Sequence, residues 1–222
     1  MTPPSPPEGD YERLHGEWLR FRGQVVDATT DLPTLSAVLD DVRRLMEERG
    51  TIGVVYLDVG GEGAAEPLRG AEDYDAVLAR FAKALLGLKG EGIIGPRDIA
   101  ATLGVRSDKY LLFVRAHESL PVELAALESR ARRIRERLEQ AMADPGGDGA
   151  APVVLHVGHA LMYRDPMLRA ERSIHRALDE AMFMSLRQRT REEDRRMHAL
   201  DEVIAGDQII TLFQPIVDLR TR

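Results

Sequence analysis

The large apolar residues near the N-terminus, Tyr11, Leu14, Trp18, Phe21 and Val25, follow one another at intervals of three and four. That spacing puts them on one stripe of a helix spanning residues 10–26 and predicts the seam of a short coiled coil. Gly16 and Gly23 weaken the helix in isolation, and packing on its own domain and pairing in a dimer stalk are equal alternatives. A second amphipathic helix is predicted where Leu35, Val38, Leu39, Val42, Leu45 and Met46 recur at helical spacing and Gly50 supplies the stop. From Ile52 to Leu57 the pattern changes to a near-continuous β-branched and aromatic run ending at Asp58, the pattern of a buried central strand. A helix from about Asp73 to Leu88 follows, then two strands, IAATLGV and KYLLFVR, joined by a polar turn of Arg106, Ser107 and Asp108. A charged helix from about Pro121 to Ala143 precedes DPGGDGAAP, which breaks the chain, and PVVLHVGHALM reads as a further strand. A helix from about Pro166 to Leu186 continues into the polar stretch RQRTREEDRRMHALDEVIAGD as a connector, and QIITLFQPIVDLRTR closes as an apolar strand. This order, with a hairpin among the strands, predicts an α+β domain with a mainly antiparallel central sheet flanked by helices.

Composition narrows the function classes without naming one. The 222 residues, 44% of them hydrophobic, suffice for one sizeable core. The first nine, MTPPSPPEG, hold four prolines and predict a disordered tail. A formal net charge of −7 argues against a general nucleic-acid or anionic-membrane binder, because phosphate affinity is mostly cation-driven. The chain has no cysteine, which removes disulfides, thiolate nucleophiles and Cys-ligated zinc together. No apolar run approaches the roughly 20 residues of a membrane span and no signal sequence is evident, so the expected location is cytoplasmic. His156 and His159 stand three apart on a strand and point to opposite faces, a poor metal pair.

Taken in order, the segments resemble a GGDEF domain, the fold of diguanylate cyclases, and the terminal strand resembles the first strand of an EAL phosphodiesterase domain. DATTDLPTL is similar to the family's opening D-x-L-T-G-L-P-N-R, keeping Asp27, Thr30, Leu32 and Pro33. YLDVGGEG resembles the strand and loop that carry the first metal-binding aspartate, here Asp58, followed by the phosphate loop with Gly60 and Gly61. The resemblance carries the guanine-contacting aspartate onto Asp75 and the guanine-binding asparagine onto Glu66. The signature hairpin falls on Arg106, Ser107, Asp108, Lys109 and Tyr110. HVGHALM and LDEAMFMSL resemble the later strand and final-helix motifs, and Gln214 to Leu219 match the EAL opening. The resemblance implies a nucleotidyl-cyclase-like fold for residues 27–187, a connector helix over 188–205 and the start of a truncated EAL domain over 206–222.

Departures from the pattern bear on chemistry. Two-metal attack on an α-phosphate needs carboxylates from both the first strand and the hairpin, and Lys109 replaces the hairpin carboxylate. Arg106 and Ser107 stand where the family has two glycines, Leu186 where it has a phosphate-contacting lysine, and Gly60, Glu62 and Gly63 where it has an aspartate, a phenylalanine and a lysine. The inhibitory R-x-x-D motif keeps Arg97 but carries Ala100 for its aspartate, with Asp98 nearby. The resemblance and its departures imply a catalytically inactive regulatory or protein-interaction module in cyclic di-GMP signalling, coupled to an EAL domain, with no cofactor required. Two rivals stand beside it: a GTP-sensing allosteric domain, with Mg²⁺ entering alongside the nucleotide, and a weakly active enzyme. Asp58 is read as a metal ligand or a loop cap, Asp75 as a guanine acceptor or an acidic residue at a helix N-terminus. The hairpin tip is read as a contact surface or a solvated turn. Expected partners are the downstream EAL domain, a protein partner, a second copy through the N-terminal helix, and GTP or cyclic di-GMP.

Overall fold

Strand β1, Thr51–Val59, is buried along Ile52–Leu57 without interruption, because both faces of the sheet it belongs to are covered. The computed structural model describes residues 8–60, 71–115, 123–143 and 154–206. Around β1 the chain supplies β2 (Ile99–Thr102), β3 (Lys109–Arg115) and β4 (Leu155–Tyr163), in the sheet order β2-β3-β1-β4 with every pairing antiparallel. The described helices are α1 (Glu8–Val25), α2 (Leu35–Arg49), α3 (Ala71–Gly87), α4 (Leu124–Ala143) and α5 (Ala170–Ala205). This is the α+β architecture expected from the order of elements. By internal packing the chain divides into two units, Met1–Gln188 and Arg189–Arg222.

Alternation along β1 sends Ile52, Val54 and Tyr56 to one face and Val55, Leu57 and Val59 to the other. The first face is covered by α2, through Val38, Val42 and Leu45, and by α5, through Ile174, Ala177, Leu178 and Ala181. The second is covered by α3, through Leu78, Phe81 and Leu85, and by α4, through Leu127, Ala131, Ile134 and Leu138. Each set recurs at three and four residues, so one stripe per helix meets the sheet. Gly50, at φ 73°, ends α2 and returns its N–H to the Met46 carbonyl. On β4, Gly158 lets α5 lie directly against the strand, since a Cβ there would stand 1.8 Å from the Ala181 carbonyl oxygen.

Several boundaries differ from those expected. α1 begins at Glu8, so Glu8 and Gly9 are helical rather than part of a tail. β2 stops at Thr102, and Leu103, Gly104 and Val105 join the turn, closed by a 2.9 Å bond from Leu103 N–H to the Lys109 carbonyl. The helix expected from Pro166 starts at Ala170, because Asp165 holds a turn of its own: its side chain accepts the Met167 N–H at 2.8 Å and its carbonyl the Leu168 N–H at 3.2 Å. That helix then runs unbroken through the connector to Ala205. The breaker DPGGDGAAP and the strand expected at Gln208–Leu219 lie outside the described residues. Among the described residues no helix is long and apolar enough to cross a membrane.

Gly158→Ala is expected to destabilise the fold by about 3 kcal/mol in urea unfolding, because backbone atoms of α5 must move to admit the methyl group. A second expectation concerns pH. Burial on the α4 side of the sheet lowers the His159 pKa, opposed in part by the charge of Glu128. The folded state therefore takes up its proton later than the unfolded state, and stability present above about pH 6.5 declines as pH falls below it. His159→Gln should flatten that decline in unfolding titrations; an unchanged slope would reject the assignment.

Candidate functional site

The strand ends farthest from Gly50 bring the chemically suggestive residues together. Asp58, half-buried near the end of β1, is paired directly with Lys109 on β3 and with His156 on β4. Residues directly opposite in an antiparallel ladder project from the same face, so the three side chains leave the sheet on its α2/α5 side, with Asp58 on the middle strand between Lys109 and His156. His156 is 5% exposed. Tyr56, two residues before Asp58 and on the same face, has its hydroxyl pKa pushed well above the usual phenol value, chiefly by burial and then by the negative charges of Asp58 and Asp108. It stays protonated.

Asp108 turns instead to α3. Its Oδ2 accepts the Tyr74 hydroxyl at 3.3 Å, and the same hydroxyl reaches the Val59 carbonyl at 3.1 Å. Its Oδ1 takes the Lys109 ammonium at 3.0 Å. The two carboxylates at the strand ends are thus directed differently, one standing in the ladder between Lys109 and His156 and the other held by Tyr74 and Lys109. Ser107 Oγ accepts the Lys109 N–H at 3.1 Å and fixes the first residue of β3. Tyr110 is buried, stacked obliquely on Phe81 with ring centroids 4.8 Å apart, and donates to the Leu78 carbonyl at 3.2 Å. It therefore acts as a core residue.

The turn at Asp27 fixes where the hairpin stands. Asp27 is 1% exposed, and its Oδ1 accepts from Thr29 N–H at 3.1 Å, Thr30 N–H at 2.9 Å and Thr30 Oγ1 at 2.8 Å. Its Oδ2 accepts the backbone N–H of Arg106 at 2.5 Å. Arg106 has φ 54°, a left-handed conformation that costs a non-glycine residue about 1–2 kcal/mol. The charge-assisted bond to Asp27 offsets that strain. Next to this contact, Thr102 N–H donates to the Pro33 carbonyl at 2.8 Å, and Thr34 and Thr102 form a parallel bridge.

The remaining predicted residues separate. Gly60 leaves β1 at φ 101° and donates to the Val154 carbonyl at 2.9 Å, while Gly61, Glu62, Gly63 and Glu66 lie outside the described residues. Asp75 is exposed and is the fifth residue of α3 rather than part of its first turn; the α3 side chain that reaches the strand ends is its neighbour Tyr74. Arg97 is exposed, but Asp98 is 5% exposed and committed elsewhere. Asp98 accepts Arg115 N–H at 2.9 Å, Gly95 N–H at 2.7 Å and the Arg130 guanidinium at 2.6 Å, tying loop, β3 and α4 together. Ala100 packs in the core beneath α3 and α4, so the position of the missing aspartate faces inward. Leu186 is exposed on α5. Tyr74, Arg130 and the Asp27–Arg106 bond were not foreseen. Tyr74 carries a signal in hindsight, an aromatic residue between two aspartates in the first turns of a helix. Among the described residues, no three His, Cys, Asp or Glu side chains are grouped so as to hold a metal ion.

No protein-family model and no curated protein sequence matches the chain. Solved structures do. The chain is similar to the coiled coil and GGDEF domain of DgcB from Caulobacter crescentus in complex with c-di-GMP, at 20% identity over 82% of this chain and 90% of that one, with a TM-score of 0.58. It is also similar to diguanylate cyclase SiaD in complex with its activator SiaC from Pseudomonas aeruginosa, at 19% identity over 81% and 66%, TM-score 0.54. A third is the FimX GGDEF domain from the same organism, at 17% identity over 73% and 94%, TM-score 0.52. The fold is that of GGDEF domains.

Because Asp27 alone accepts from the turn and from the hairpin, Asp27→Ala is expected to lower unfolding stability by about 3–4 kcal/mol, leaving buried N–H groups unpaired. Asp27→Asn, which keeps one acceptor, should fall between wild type and alanine in the same chemical denaturation.

Proposed function

We propose that this chain is a GGDEF-type domain without cyclase activity, serving as a regulatory or protein-interaction module in cyclic di-GMP signalling and coupled to an EAL domain that begins near residue 206. The observation that carries the proposal is Lys109 directly across the ladder from Asp58. In a cyclase of the resembled family that place belongs to a carboxylate, and the pair holds two divalent ions. A lysine at that place offers a divalent ion no lone pair and adds a positive charge beside it. A strand-end set in which the residue across the ladder from Asp58 is a lysine, its ammonium on Asp108, does not fit a pair of Mg²⁺ ions. Arg106 at the hairpin tip adds a large side chain where a glycine would let a nucleotide approach.

The input is assigned to a protein partner. SiaD, part of which has a similar fold, forms a complex with its activator SiaC, and this supports a protein as the input. The exposed seam of α1, with Tyr11, Leu14, Trp18 and Phe21 all more than half exposed, supports association with a second copy. The rival reading, a GTP-sensing domain acting on an EAL phosphodiesterase, is supported by the retained Asp58 and Asp75. Ala100 in the core weighs against a complete inhibitory cyclic di-GMP site at Arg97.

Purified protein given GTP with Mg²⁺ or Mn²⁺ is expected to form no cyclic di-GMP and to show no micromolar GTP affinity in calorimetry. Turnover abolished by Asp58→Ala would overturn the proposal in favour of an enzyme. Micromolar binding abolished by Asp75→Ala, without turnover, would replace it with the sensor.

A further inference from the structure

Within the unit Arg189–Arg222, the described part of α5 carries Met197, Leu200 and Ile204 at 59, 54 and 60% exposure. Thr190, Glu193, Met197, Leu200 and Ile204 follow at alternating intervals of three and four, and in sequence the same spacing reaches back to Leu186 and Phe183. We propose that this stripe is the seam of a parallel, in-register, two-stranded coiled coil formed with a second copy of the chain.

Charge selects that occupant. With Met197 at position a and Leu200 at position d of the heptad, Arg189 and Arg196 fall at g, and Asp194 and Asp201 at e. In a parallel pair each g residue faces the e residue five places further along the other helix. Arg189 then meets Asp194 of the second copy and Arg196 meets Asp201, each twice by symmetry, all of opposite sign. An antiparallel pair sets g against g and e against e, which opposes arginine to arginine and aspartate to aspartate. The self-complementary pattern therefore fits a copy of this chain in one direction only. Arg189 also donates to Glu193 in its own helix at 2.8 Å, so Arg196 and Asp201, both exposed, form the discriminating pair. Thr190 and Glu193 inside the seam lower its stability while penalising slipped registers, which makes the pairing weak and concentration-dependent. The inference does not rest on whether the hairpin site binds a nucleotide.

The absence of native cysteine permits a direct test on the full chain. Leu200→Cys, at the seam, should form an intermolecular disulfide under mild oxidation, whereas Glu202→Cys, on the opposite side of the helix, should not. Sedimentation equilibrium should show Arg196→Asp weakening association roughly tenfold, since both pairs become repulsive. Mixing Arg196→Asp with Asp201→Arg chains should restore it as heterodimers. A chain that stays monomeric at all concentrations, equal cross-linking at positions 200 and 202, or affinity indifferent to Arg196→Asp would overturn the proposal. The Leu200→Cys cross-link should persist when α1 carries Trp18→Glu and Phe21→Glu; its loss there would show that α1 alone brings the copies together and would equally overturn it.

Discussion

Asp27 accepts hydrogen bonds from two residues of its own turn with one oxygen and from the tip of the β2–β3 hairpin with the other, at a position almost wholly removed from water. A buried carboxylate is tolerable only when donors surround it, and here those donors come from segments 79 residues apart in sequence. The hairpin tip is consequently not a free loop. Its left-handed Arg106 is held in place by a charge-assisted bond, and the turn that follows delivers Ser107, Asp108 and Lys109 to fixed places at the end of the sheet. A rigid presentation of this kind suits recognition as well as catalysis, because it lowers the entropy lost on binding.

What those residues can do then follows from ladder geometry. Pairing of Asp58 with Lys109 is a consequence of antiparallel register, and register cannot slip by one residue without turning the whole buried face of β1 to the other side. The two cores, each with its own pair of helices, lock that register from both faces. Asp108 is one residue from Lys109, yet its oxygens are engaged by Tyr74 from α3 and by the lysine's own ammonium. The fold thus keeps the GGDEF framework while bringing two carboxylates, an ammonium and an imidazole together at its strand ends.

Much of this was legible in the sequence because the decisive information is periodic. The 3.6-residue stripes of α2 and α4 and the unbroken apolar run of β1 specify which face each element buries, and the hairpin was visible as two apolar segments around a polar tip. The extent of the turn was not, since Leu103 and Val105 are apolar and read as strand, whereas Leu103 closes the loop through its backbone. Asp98 and Asp27 look alike in sequence, short acidic residues near motifs. Only the fold shows that one anchors a loop to Arg130 and the other anchors the hairpin. Their burial depends on partners distant in the chain, which no local pattern encodes.

The long α5 joins these levels. Its turns at Ala181 and Ser185 are positioned by Gly158, where the missing side chain allows backbone to meet backbone, and its later turns carry an apolar stripe flanked by charges of alternating sign. A stripe with no sheet to cover stabilises the helix only if something else removes it from water, and an isolated helix of that polarity gains little from propensity alone. An input to a domain changes its output only through a ligand or partner that prefers one arrangement over another. The pairing proposed for the later turns of α5 would supply a two-state element of that kind, because modest differences in free energy are enough to shift a marginal association.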